Sequence, residues 1–312
     1  MLATTFWHHV TQIVVYTLTI GSIYGLVAFA YSLVFSTTKI VNFAQGTLVI
    51  VGGYLAWDLY TNRFDGSVVM PVVLLLVVGL GAVLGMMFDL VAIAPLGKFD
   101  PTTNISWLVT TFGAGIFVQE LVSKSISDSG QKLDPLASKL PWLGTGKVVQ
   151  GVSIEPADVF LVLLPILIVV LLELLQGRTK IGRAFRAVSQ DRGAASLMGI
   201  NPTAMVMLSF VIAGAIAALA GVLVAPRLFV RFNIGLTLGV YGFIAAVIGG
   251  LGSTRGAVIG GYTIAFVEGV VGEYNLFHNG EVYKPIFVFV AFILVLTLKP
   301  TGLFGKPAVE KV

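Results

Sequence analysis

GRTKIGRAFRAVSQDRGAASLMGINPT, from Gly177 to Thr203, is the stretch whose reading decides this chain. It is polar, yet Ala184, Ala187, Ala194, Ala195, Leu197 and Met198 favour helix, and Gly199 and Pro202 supply a stop. On either side lie apolar runs, Val159 to Leu175 and Met205 to Val224, each near the length that crosses the hydrocarbon core of a bilayer. A folded polar element is therefore expected between two membrane spans. Arg178, Lys180, Arg183, Arg186 and Arg192 are opposed there only by Asp191, so the bias of basic residues toward the inner side places it in the cytoplasm. Two readings stand: a basic loop of the kind every multispan protein has, or a helix on which a cytoplasmic partner docks.

Composition widens the same conclusion to the whole chain. Its 312 residues are 57% hydrophobic and 11% charged, with a mean hydropathy of +0.96, more apolar surface than a soluble domain of this size can bury. The expected fold class is all-α and polytopic, lying in the lipid bilayer. The 36 glycines and 12 prolines fall largely inside apolar runs, which suits close helix packing and broken helices. A net charge of +4 then reflects loop bias and gives no argument for nucleic acid. Cysteine is absent, which excludes disulfides and thiolate metal sites. The opening MLATTFWHHV reads as the start of the first span, because the apolar run behind it is too long for a signal-peptide core.

Hydropathy gives eight or nine transmembrane helices, some short or broken, in a single transmembrane domain over residues 1–312. The candidate spans are Val10–Phe35, Ile40–Tyr60, Val68–Ala94, Ile105–Ile126, Val159–Leu175, Met205–Val224, Gly235–Gly250, Gly256–Val271 and Pro285–Leu298. With the central basic loop, 178–203, inside, parity puts the N-terminus outside and the C-terminus inside, and makes 127–156 an extracytoplasmic loop. Gly21/Gly25, Gly81/Gly85, Gly235/Gly239 and Gly256/Gly260 carry the four-residue spacing that lets helix backbones approach. QGTLVIVGGYLA (Gln45–Ala56) and RGAVIGGYTIA (Arg255–Ala265) align with one gap, which suggests an internal repeat. Paired glycine-interrupted segments in two halves point to a pathway at the membrane midplane.

Much chemistry is missing. There is no GxxxxGK[ST] phosphate loop, no GxSxG elbow and no HExxH pair, so no nucleotide or other cofactor, no metal and no catalytic residue is expected. Asp89 and Glu268 lie deep in apolar runs, where an ionisable group is a functional candidate. In a secondary transporter of a small solute either would carry the coupling proton or ion. Asn42, Gln45 and Gly46 in VNFAQG, with Gly249, Gly250 and Gly252 in GGLGSTRG, are the polar or backbone-exposing positions in apolar segments and are the candidates for lining a translocation path. Interhelical hydrogen bonding is the competing reading for Asn42 and Gln45.

Three stretches in register resemble the ABC-transporter permeases of the branched-chain amino acid type: Tyr24–Ala56 with its Asn-Phe-Ala-Gln-Gly core, Thr179–Asn201, and Phe243–Glu268 followed by LKPTGLFGK from Leu298 to Lys306. The family often has histidine where this chain has Gln45, which leaves the solute open among branched-chain amino acids, urea, short amides and aromatic acids. The resemblance implies a multi-pass importer subunit of the bacterial inner membrane, beside a second related permease. Two cytoplasmic ATPases that bind the ATP would drive it, and an extracytoplasmic substrate-binding protein would deliver the solute. It also implies that the polar loop is the coupling helix, with Ala194, Ala195, Leu197, Met198 and Gly199 in the ATPase groove and Arg183 and Arg186 nearer its rim.

Overall fold

An apolar chain in lipid can satisfy its backbone only internally, and helix does this within one segment. The computed structural model describes residues 2–64, 70–96, 105–125, 147–149, 151–227, 232–274 and 280–305. In order these form α1 (Leu2–Thr38), α2 (Gln45–Trp57), α3 (Met70–Phe88), α4 (Ser106–Ser125), the hairpin β1 (Lys147–Val149) and β2 (Val152–Ile154), then α5 (Pro156–Arg178), α6 (Lys180–Gln190), α7 (Arg192–Leu197), α8 (Pro202–Val224), α9 (Phe232–Gly249), α10 (Thr254–Glu273) and α11 (Gly280–Leu298). The fold is all-α and multi-pass, as expected. The expected outer loop lies mostly outside the described residues, apart from the antiparallel hairpin that pairs Val149 with Val152.

By length and apolarity four helices among the described residues can cross a membrane, Phe6–Thr38, Pro71–Leu96, Pro156–Arg178 and Pro202–Val224. A fifth candidate is the pair Ile234–Gly249 and Thr254–Glu273, bent by 120°. Eight or nine spans are thus not reproduced on these criteria. The reasons are local: α2 has 13 residues, and α4 carries Ser106, Thr110, Thr111, Gln119 and Glu120 in its 20. The second expected span also starts late, since Lys39 takes φ 62° and the chain stays non-helical until Gln45. Large side chains such as Leu75 (70% exposed), Val109 and Ile293 point outward from α3, α4 and α11, which a lipid surround accounts for.

The chain forms two compact units. One comprises Ala30–Leu133 and Ile168–Val240. Its centre is α8, on which α2 and α3 lie through backbone-to-backbone glycine contacts. A Cβ built on Gly85 would overlap the Phe210 carbonyl oxygen, one on Gly52 would overlap Ala218, and one on Gly221 would overlap the Val49 carbonyl. Only residues without a side chain allow this approach. Phe210, Ala213, Ala217, Ala220 and Leu223 of α8 are accordingly buried.

The other unit comprises Met1–Phe29, Asp134–Leu167 and Tyr241–Val312. Here α10 packs on α1 and α9 by the same device: Gly261 faces Gly25, and Gly260 faces Ala245. The two stretches that align in sequence thus hold like positions, each in its own unit. Each opens a helix after a non-helical break, 39–44 before α2 and 250–253 before α10, and each uses its Gly-Gly pair as the contact surface.

Candidate functional site

The polar loop folds as two helices, not one. Thr179 caps α6, its hydroxyl accepting from the Gly182 N–H at 3.1 Å. Asp191 then leaves helical geometry (φ −156°, ψ 114°) and its carboxylate accepts from the N–H groups of Gly193 (2.8 Å) and Ala194 (3.0 Å), starting α7. An aspartate competes for backbone donors in just this way, and its favour for the cap position was the missed signal. Gly199, at φ 78°, ends α7 with the Ile200 N–H donating to the Ala195 carbonyl at 3.0 Å. Asn201 caps α8 through the Ala204 N–H at 3.2 Å.

The expected contact residues separate on this scaffold. Leu197 is 91% exposed and Met198 82% exposed, and Ile181 also faces outward. Ala194 and Gly199 are exposed. Ala195 is 3% exposed and faces inward, so it supports the loop instead of presenting a surface. Arg186 turns back to cap the end of α5, donating to the carbonyls of Gln176 (2.6 Å) and Gly177 (3.5 Å), while Arg183 stays at the surface.

One residue that sequence reasoning placed only in the charge balance ties this loop down. Arg192 donates from Nε (3.0 Å) and a terminal nitrogen (2.5 Å) to the Thr37 carbonyl at the end of α1. A guanidinium at a helix C-terminus satisfies an orphan carbonyl and complements the helix dipole. The Thr37 hydroxyl donates in turn to Ser209 of α8 at 2.9 Å. Burial lowers Arg192 from its ordinary pKa, and partial burial, followed by the neighbouring Arg192 charge, lowers Lys39, although both residues are exposed overall.

The six positions read as a translocation path also separate. Asn42 and Gln45 are buried at 1% and 0% exposure and hold the chain in place. The Asn42 side-chain oxygen accepts from the Ala44 N–H at 3.1 Å, and the Gln45 amide donates to the Ala213 carbonyl, midway along α8, at 3.0 Å. Gln45 thus makes the interhelical bond of the competing reading, and neither residue borders the cavity described next. Gly46 does: with Thr47, Phe112, Gly115, Gln119 and Gly239 it borders a cavity of about 280 Å³. Thr47, Phe112 and Gln119 each look ordinary in their own helices, and the Gly235/Gly239 spacing carries a packing meaning, so no local signal marks these cavity residues.

Gly249, Gly250 and Gly252, in the other unit, do not border that cavity. The Leu303 N–H donates to the Ile248 carbonyl at 2.7 Å and the Phe304 N–H to that of Gly249 at 3.0 Å. A Cβ on Gly250, which has φ 104°, would lie 2.5 Å from the Gly305 nitrogen. The turn is a seat for residues 299–305, and only Gly252 is exposed. Of the two deep carboxylates, Asp89 is buried in a π-helical turn after α3. Glu268 is buried in α10 and accepts from the Tyr16 hydroxyl at 3.4 Å, with Tyr24 also bound to it. Farther along α10, Glu273 meets His9 Nδ1 at 2.6 Å.

A multi-pass bundle with a folded polar loop that carries apolar side chains outward, and with a cavity beside a helix break that no charged side chain borders among the described residues, fits a membrane transport subunit. The family model described as branched-chain amino acid transport system, permease component, matches residues 13–296, and the chain belongs to that family. The high-affinity branched-chain amino acid transport system permease protein BraD of Pseudomonas aeruginosa is 32% identical to it, over 98% of this chain and 99% of its own. LivH of Escherichia coli K12, described in the same terms, is 31% identical over 94% of this chain and 95% of its own. The solved structure of PsaBC from Streptococcus pneumoniae in complex with Fab covers 97% of this chain and 98% of that one, at 14% identity and a TM-score of 0.48. The chain is a transporter subunit and not an enzyme, and the family speaks for the ATPase-driven permease over the secondary carrier built on Asp89 or Glu268. Permeases of this kind work with ATPase and substrate-binding partners in general.

Proposed function

We propose that this chain is the membrane-spanning subunit of an ATP-driven importer for branched-chain amino acids, placed in the bacterial cytoplasmic membrane with α6 and α7 on the cytoplasmic side. Two ATPase subunits engage that loop, a second related permease stands beside the chain, and an extracytoplasmic binding protein hands over the amino acid. The observation that carries the reading is the exposure of Leu197 and Met198 on a loop outside the apolar spans. Lipid accounts for outward apolar side chains along α3 or α11 but not for these two, and exposed apolar groups of this sort mark an interaction site. The loop is also fastened to the ends of two other helices, by Arg186 to α5 and by Arg192 to α1, so a push on it has a rigid route into the bundle. No nucleotide site is expected in this chain, so ATP binds to the partners. Reconstitution of the permease pair with the ATPases and the binding protein tests this: ATP-dependent uptake of leucine, isoleucine and valine is expected. Uptake restricted to urea, amides or aromatic acids would overturn the substrate assignment, and ATP turnover by this chain alone would overturn the division of labour.

A further inference from the structure

The cavity of about 280 Å³ lies entirely within one unit of the chain, between the start of α2, the middle of α4 and the start of α9. Among the described residues no charged side chain borders it. Its space is made by glycines. Gly46 and Gly239 touch so closely that a Cβ on Gly239 would lie 3.0 Å from the Gly46 Cα, and Gly115 sits where a Cβ would lie 3.2 Å from the Thr47 hydroxyl. Phe112, Ile116 and Leu236 supply apolar surface, while the Thr47 hydroxyl and the Gln119 amide are engaged by no other group among the described residues. Gly46 and Thr47 also form the first turn of α2, where N–H groups lack helical partners and the dipole favours negative charge.

Resting on the importer reading, we infer that this cavity is a stopping place for one free amino acid with an apolar side chain. The carboxylate turns to Thr47 and the α2 start, and the side chain lies against Phe112 and Ile116. Three features select this ligand. Pockets for drug-sized molecules begin near about 300 Å³, so this one suits a smaller solute. The absence of a bordering charge disfavours ions and acidic or basic side chains, whose desolvation nothing there would offset. A few polar groups, those of Tyr31, Thr47 and Gln119, beside the apolar walls of Phe112, Ile116 and Leu236 match a solute with a polar part and an apolar part. The permease therefore discriminates by side chain on its own account, after the binding protein has done so, and each permease chain carries one such site.

The test uses the full transporter in proteoliposomes, with uptake of leucine, alanine and phenylalanine compared for each variant and binding-protein-stimulated ATP turnover recorded beside it. Filling the cavity with Phe112→Trp is expected to cut leucine uptake about tenfold more than it cuts alanine uptake. Enlarging it with Ile116→Ala is expected to move the phenylalanine-to-leucine ratio upward by about tenfold, the discrimination one to a few methylenes bring. Thr47→Val, which removes the hydroxyl at nearly constant volume, should slow all three amino acids together. Should Phe112→Trp prevent assembly, Ile116→Ala and Thr47→Val still decide. Unchanged substrate ratios in Ile116→Ala, or equal loss for every solute in Phe112→Trp as expected if a lipid chain or the second permease fills the space, overturn the inference and leave the importer reading intact. If the unaltered transporter moves no amino acid, it is the importer reading that fails.

Discussion

Substituting Gly85 by alanine, with Gly79→Ala on the same helix as the control, isolates the cost of one methyl group at a helix crossing. In α3 both changes bring the same gain in helix propensity, about 1 kcal/mol. At Gly79 the new Cβ meets nothing within 4 Å. At Gly85 it overlaps the Phe210 carbonyl oxygen and lies 2.9 Å from the Phe210 carbonyl carbon and 3.1 Å from the Gly214 Cα. These are backbone atoms of α8, which no rotamer change can move aside. The two helices must part by roughly 1 Å, and a gap of that size forfeits about a quarter to a half of each dispersion contact along the seam. Overpacking of this kind costs about 1–3 kcal/mol, which at about 2–4 °C per kcal/mol separates the two variants by about 2–12 °C in midpoint. Thermal unfolding of the detergent-purified proteins, followed by size-exclusion fluorescence, reads this out. Midpoints for Gly85→Ala and Gly79→Ala within about 1 °C of each other would refute the glycine-to-backbone account of the α3–α8 seam.

The double variant Leu197→Asp with Met198→Asp is expected to unfold at the same temperature as the parent but to retain much less ATPase subunit through affinity purification; equal retention would remove these residues from the contact. Ala195→Asp is expected to destabilise the loop itself, since burying that charge without a partner costs several kcal/mol, and limited proteolysis between α6 and α8 should show it by faster cutting. Arg192→Ala should also speed that cutting by leaving the Thr37 carbonyl without its cap, and Arg192→Lys should restore little because an ammonium lacks the paired donors. Gly250→Ala, at φ 104° and against Gly305, is expected to lower the midpoint more than Gly79→Ala raises it.

The spans were legible in the sequence wherever apolarity ran long, as at Val159–Leu175 within α5 and Met205–Val224 within α8, because helix in lipid needs nothing beyond local pattern. Breaks were harder to place. The sequence carried the second span from Ile40, but the left-handed turn at Lys39 and the Asn42 bond to Ala44 delay helix to Gln45. The helical character of the polar loop was legible, while its division at Asp191 needed cap chemistry to be weighed against alanine-rich propensity. Site residues were the least legible. Gln45 and Gly249 are polar or irregular positions in apolar segments, which is the right signal for a path, but the same signal serves a bond to Ala213 and a seat for Phe304. Which use prevails depends on partners distant in the chain. Thr47, Phe112 and Gln119 meet only through the crossing of helices α2 and α4, for which a single sequence carries no mark.

The seat at Ile248 and Gly249 also sets an order of events in synthesis. Their carbonyls accept from Leu303 and Phe304, which leave the ribosome roughly 55 residues later. At about 5–20 residues per second the α9–α10 bend therefore exists for about 3–11 s before its bonding partners have been made. Through that interval water has to hold those two oxygens, so the bend must wait at an aqueous boundary and cannot sink into hydrocarbon. Completion of residues 299–305 then replaces water with backbone and fixes the bend to the end of α11 in one step. A chain stopped before Leu303 would carry its helices in full and still leave this corner permanently wet.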